Sequence, residues 1–139
     1  MPEIAHAPAP AFTPVEILKT AVRWARAQGW TVRLGSFGVV PVSVHGRRRW
    51  ERDELDRDPG TSPLGSLLLL SQPPALEPER AAAAVLGVDF AWTVGFSDGI
   101  GMQAKDSAWL ASLKRQNYLS GYDAGANFRI WFKSTGRES

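Results

Sequence analysis

Two histidines, fourteen carboxylates and no thiol are what this chain of 139 residues offers for catalysis. His6 lies in an Ala/Pro-rich stretch, and His45 precedes Gly46 in a turn-like dipeptide. Neither stands in a His-Glu-x-x-His pattern or beside a carboxylate at ligand spacing, so no metal site is expected. The lack of cysteine excludes disulfides, thiolate zinc sites, iron–sulfur clusters and a cysteine nucleophile. A serine nucleophile would need His45 as its base, and no Gly-x-Ser-x-Gly elbow precedes a helix. Gly-x-Gly-x-x-Gly and the Walker lysine loop are both missing. Glu51, Asp53, Glu54, Asp56 and Asp58 form an acidic run interleaved with Arg52 and Arg57. Such a run reads as a solvated segment, because paired carboxylates do acid–base work only in a sheltered pocket. The expectation is a protein that is not an enzyme and uses no cofactor.

Cations and rings point to a different chemistry. Between residues 12 and 49 there are seven basic residues and one acid, Glu16. Lys19, Arg23 and Arg26 recur at helical spacing and share one face. Arg33 follows, and Arg47, Arg48 and Arg49 run directly into Trp50. Near the other end, Arg129, Trp131 and Lys133 alternate with Phe128, Ile130 and Phe132, as on two faces of a strand. Guanidinium and ammonium groups beside a ring suit phosphate contact with base stacking. The expected partner is therefore nucleic acid or a nucleoprotein, met through a basic N-terminal face. Ala83 to Phe96 also invites a helix-turn-helix reading. Its second helix would present Trp92, Thr93, Ser97 and Asp98 with no Arg or Lys, which is poorly suited to base edges and phosphates.

The most specific pattern is written twice. Trp92-x-x-Gly95-Phe96-x-x-Gly99 and Tyr118-x-x-Gly121-Tyr122-x-x-Gly125 share one template of aromatic, glycine, aromatic, glycine. Glycines four apart lie on one face of a helix and bare its backbone. Each lowers helix propensity by about 1 kcal/mol against alanine, so four together need a compensating contact. Close packing of these two helices would supply it. A homodimer interface or an aromatic-lined groove is the alternative.

Elements must position these groups. Thr13, Pro14 and Glu16 spell a capping box, and Val15, Leu18, Ala21, Val22 and Ala25 make an apolar stripe, with Gly29 as the stop. Trp30 to Leu34 alternates as a strand. Val39 to Val44 is β-branched, with Pro41 marking an edge. Residues 47–52 fit either a third strand or a short helix. Ser62-Pro63 opens a helix that Gln72-Pro73-Pro74 ends. Pro78 to Leu86 is closed by Gly87, and Asp89 caps Phe90 to about Gly99. Asp106 or Ser107 opens a helix to about Gly125, and Phe128 to Lys133 reads as a last strand.

With 44% hydrophobic residues, a packed core is expected. The fold class is α+β: an N-terminal helix with a small antiparallel sheet, then a helical half with closely packed glycine-containing helices. Residues 1–11 are expected as a disordered arm, 12–133 as a single domain and 134–139 as a frayed tail. The first residues lack a basic n-region, and the run Leu67 to Leu70 is too short to span a bilayer, so no membrane association and a cytoplasmic location are expected.

Overall fold

The computed structural model describes residues 12–34, 37–53, 60–74 and 77–136. The expected arm, 1–11, lies outside them. The described residues form an α+β arrangement of six helices and one two-stranded antiparallel sheet. The elements are α1 (Pro14–Ala27), β1 (Val39–Val44), β2 (Arg47–Arg52), α2 (Pro63–Ser71), α3 (Pro78–Leu86), α4 (Phe90–Ile100), α5 (Ser107–Leu110) and α6 (Arg115–Gly136).

Helix α1 begins as its sequence dictates. The Thr13 hydroxyl accepts from Glu16 N, and the Glu16 carboxylate accepts from Thr13 N. Those bonds, the backbone one foremost, hold the Glu16 carboxyl below its ordinary pKa. At the other end Gly29 adopts φ +85°, and Trp30 N reaches back to Ala25 O. Leu18, Ala21, Val22 and Ala25 are buried against α2. Pro63 to Leu69 of α2 is buried throughout, so this helix is the centre of the core and is apolar all round. Its Ser66 hydroxyl is satisfied by Thr61 and by Ser62 O.

Residues 47–52 are a strand, paired in register from Val39 with Arg52 to Val44 with Arg47. His45 and Gly46 both have positive φ, the requirement of a tight two-residue hairpin turn. The strand expected at Trp30 to Leu34 is not formed. Only Val32 pairs, in one parallel bridge to Thr61, because its partner segment turns at once into α2.

The twice-written template explains the helical half. A Cβ on Gly95 would stand 2.1 Å from Tyr118 O, and one on Gly99 2.1 Å from Tyr122 O. Reciprocally, Gly121 faces Trp92 O at 1.9 Å and Gly125 faces Phe96 O at 2.3 Å. Each glycine of one copy thus rests on the carbonyl of the matching aromatic in the other. The contacts advance in the same sense along both chains, so α4 and α6 run parallel. Backbones this close can exchange Cα–H···O contacts. The glycine face is filled within the chain.

Parallel neighbours need a return path, here residues 101–114. The single helix expected from Asp106 to Gly125 is therefore broken: Asp106 caps only the short α5, and α6 starts afresh at Arg115. The second-copy tyrosines hold the return segment. Tyr118, fully buried, accepts from Asp106 N at 2.8 Å and donates to Asp98 at 2.7 Å, while Tyr122 donates to Gln103 O. Lys114 adds an ion pair with Asp89 at 2.7 Å. The first-copy rings, lacking hydroxyls, turn inward: Trp92 stacks on Phe96, and Phe96 meets Phe128 edge-on.

The last strand expected at Phe128 to Lys133 is also corrected. Helix α6 continues to Gly136 because Tyr118, Gly121, Tyr122, Gly125, Phe128 and Phe132 form one stripe at helical spacing. Over six residues that stripe mimics alternation. No helix among the described residues is long and apolar enough to cross a membrane.

Two consequences are measurable. Gly121→Ala should lower stability in urea by about 2 kcal/mol or more, despite gaining about 1 kcal/mol of helix propensity, because its Cβ meets backbone rather than a yielding side chain. Ser120→Ala, on the exposed face next door, should be neutral or slightly stabilising; equal effects at both sites would refute the close approach. Burial, chiefly, pushes the Tyr118 phenol up from 10.0 to about 12. The unfolded chain then loses this proton first, so Tyr118 contributes full stability below pH 10 and loses it as pH rises towards 12. Tyr118→Phe should flatten that part of the stability–pH curve, and an unchanged curve would exclude the effect.

Candidate nucleic-acid interface

Strand β2 carries the sequence Arg-Arg-Arg-Trp-Glu-Arg, and the structure separates its parts. Arg47, Arg48 and Arg49 are exposed, whereas Trp50 is only 2% exposed. The Trp50 indole N–H donates to Pro73 O at 2.9 Å. Trp50 is thus a core residue and not the stacking ring expected beside the arginines.

Its position depends on Gln72. This residue ends α2 with φ +50°, a left-handed conformation unusual for a side chain of this size. From there its amide lies along the outer edge of β2. Gln72 Oε1 accepts from Trp50 N at 2.7 Å, and Gln72 Nε2 donates to Trp50 O at 2.9 Å and to Leu69 O at 3.0 Å. The amide stands in for a neighbouring strand and blunts the edge. On the other strand Pro41, paired with Trp50, has no N–H to present.

A cleft of about 300 Å³ opens beside this edge. Trp24 from α1, Trp30, Trp50 and Leu69 supply its apolar walls. Arg49, Arg52, Glu51 and Gln72 supply its polar rim. Trp24 and Trp30 meet edge to face at 5.2 Å, and the Arg52 guanidinium lies over Trp30 at 4.9 Å. Arg49 and Glu51 stand 3.8 Å apart, both well exposed. A shallower hollow of about 490 Å³, bounded by His45, Arg47, Arg48, Arg49 and Gln72, shares Arg49 and Gln72 with the cleft. The two form one surface, ringed at one end and cationic at the other.

The remaining expected residues fall elsewhere. Lys19 and Arg23 lie over the Trp131 ring at 5.3 and 5.4 Å. Arg26 lies over Phe132 at 4.9 Å and donates to Thr135, and burial lowers its pKa. This second group joins α1 to the end of α6. Arg33 packs against Gly60, where a Cβ would come within 3.2 Å of its Nε. Arg129 donates to Ile100 O at 2.8 Å and so closes the end of α4. On a helix Trp131 cannot share a face with Arg129 and Lys133, which are four residues apart. Lys133 is exposed.

Trp24, Trp30, Arg52 and Gln72 are the residues that sequence reasoning did not single out. Trp24 lies outside the apolar stripe read for the first helix, Trp30 reads only as part of an alternating strand, and nothing local marks Gln72 as the partner of Trp50. The helix-turn-helix reading is not supported, since Ala91, Trp92, Thr93, Gly95 and Phe96 bury the second helix. His45 sits exposed in the hairpin turn. Among the described residues no group of three His, Asp or Glu could hold a metal ion.

Gln72→Ala should cost about 2 kcal/mol in denaturant melts, because Trp50 N and O lose their partners at the edge. A loss below about 0.5 kcal/mol would mean that water replaces the amide without penalty. No family model matches this sequence, and no curated protein or solved structure matches it, so the site rests on its own geometry.

Proposed function

We propose that this chain is a non-enzymatic binding or accessory protein whose partner is nucleic acid or a nucleoprotein. The carrying observation is the run Arg47, Arg48, Arg49, exposed on one strand beside an indole-walled cleft. Residues on a strand rise about 3.3 Å each, so Arg47 and Arg49 present charges on one face at about 7 Å spacing. A row of guanidinium groups is suited to successive phosphates, which each can grip in a planar, bidentate way. The turn position of the row lets it reach a partner without moving the core. Lys19 and Arg23, over Trp131, supply a second basic patch that a longer partner can also meet.

Binding of a labelled oligonucleotide, followed by anisotropy across a salt series, tests this reading. The triple variant Arg47→Gln, Arg48→Gln, Arg49→Gln should bind more weakly and flatten the log–log salt slope by about two, at ~0.7 per phosphate contact on a single strand. These side chains are exposed, so the fold should be retained. Unchanged affinity and slope would overturn the assignment of the hairpin as the interface.

A further inference from the structure

We infer that the cleft beside β2 takes one unstacked nucleobase, and that the protein therefore prefers single-stranded to duplex nucleic acid. This rests on the nucleic-acid reading of the arginine row and adds to it a subsite, a mode of recognition and a substrate form. The cleft is aromatic where the hollow is cationic, and the two meet at Arg49. A nucleotide has the same division, with a flat ring joined to an anionic phosphate. With its base against Trp24 and Trp30, its phosphate would fall towards Arg49, and the neighbouring phosphates towards Arg47 and Arg48.

Charge favours an anion here. Among the described residues, Arg49 and Arg52 on the cleft rim face one carboxylate, Glu51, and the adjoining hollow adds Arg47 and Arg48 with none. Arg52 already lies over the Trp30 ring. A planar guanidinium on an indole can slide aside for a base or sandwich it, since both partners are π-faces.

The polar groups on the floor of the cleft are not free to read base identity. Both Gln72 Nε2 protons and Oε1 are engaged by Trp50 and Leu69, and the Trp50 indole N–H is held by Pro73 O. Recognition is then by stacking and charge, which tolerates any base. In a duplex the bases are stacked on one another, so none can enter without first being extruded.

The test compares an eight-nucleotide oligothymidine, a duplex of equal length and inorganic polyphosphate of matched charge, each titrated into the full chain at one salt concentration. The single strand should bind about tenfold more tightly than the duplex or polyphosphate, with quenching of tryptophan fluorescence. Trp30→Leu should reduce single-strand affinity to the duplex level while leaving the salt slope unchanged. Arg52→Gln, which removes no apolar wall, should reduce it several-fold, and circular dichroism should show both variants folded. Equal binding of all three anions, lost together in the triple Arg→Gln variant, would overturn the base subsite and leave the arginine interface standing. Binding of none of them would overturn both. Sharp preference among oligonucleotides of different base composition would overturn recognition by stacking alone.

Discussion

The approach of α4 to α6 at four glycines is the contact on which the rest of this fold depends. It sets the two backbones so close that a single methyl group at any of the four positions would overlap a carbonyl. It also makes the helices parallel, which is the costlier arrangement for elements near in sequence, because the chain must travel back before it can begin again. The return segment is held by the same template that creates the need for it. Tyr118 and Tyr122, the second-copy aromatics, carry hydroxyls that bond Asp106 N and Gln103 O. Trp92 and Phe96, at the matching first-copy positions, point their rings into the core. One eight-residue pattern thus has two chemical versions, one that packs inward and one that fastens the return outward.

That contact reaches the candidate site through α6. Because α6 does not end at Gly125, it brings Phe128 into the core and Trp131 and Phe132 against the cations of α1. Helix α1 is gripped on its other side by α2, and so Trp24 is set beside Trp30. Helix α2 ends at Gln72, whose amide fixes Trp50 and with it the register of the arginine row. The left-handed backbone of Gln72 is a strained feature of this chain of contacts. Three hydrogen bonds to Trp50 and Leu69 offset it, which is the usual condition for such strain to persist.

What the sequence disclosed follows a physical division. Caps were legible, since Thr13, Ser62 and Asp89 each bond a backbone N–H within three residues. So were the stops at Gly87 and Gln72-Pro73-Pro74, and the packing role of the four glycines. Two of the misreadings concern alternation over few residues. Phe128 to Lys133 and Trp30 to Leu34 alternate as strands do, but the first continues a helical stripe begun at Tyr118 and the second finds only Thr61 as a partner. Trp50 was read as a surface ring because its neighbours are arginines, yet alternation on β2 turns it inward. Gln72 was invisible as a partner because its bonds span 22 residues.

The site and the glycine contact therefore obey opposite rules. At α4 and α6 the chain supplies every partner: glycine to carbonyl, tyrosine to return segment, Arg129 to the last carbonyl of α4. These groups are spent on contacts within the chain. At the hairpin the backbone of Trp50 is equally well satisfied, but by a side chain, and the groups lining the cleft include indole rings and guanidinium heads. These are groups whose strongest interactions are with flat rings and with anions. On the reading proposed above, a cleft that stacks a ring beside a cationic row needs a rigid floor rather than a base held at a defined distance from a reacting atom. The Gln72 clamp and the buried Trp50 supply that floor.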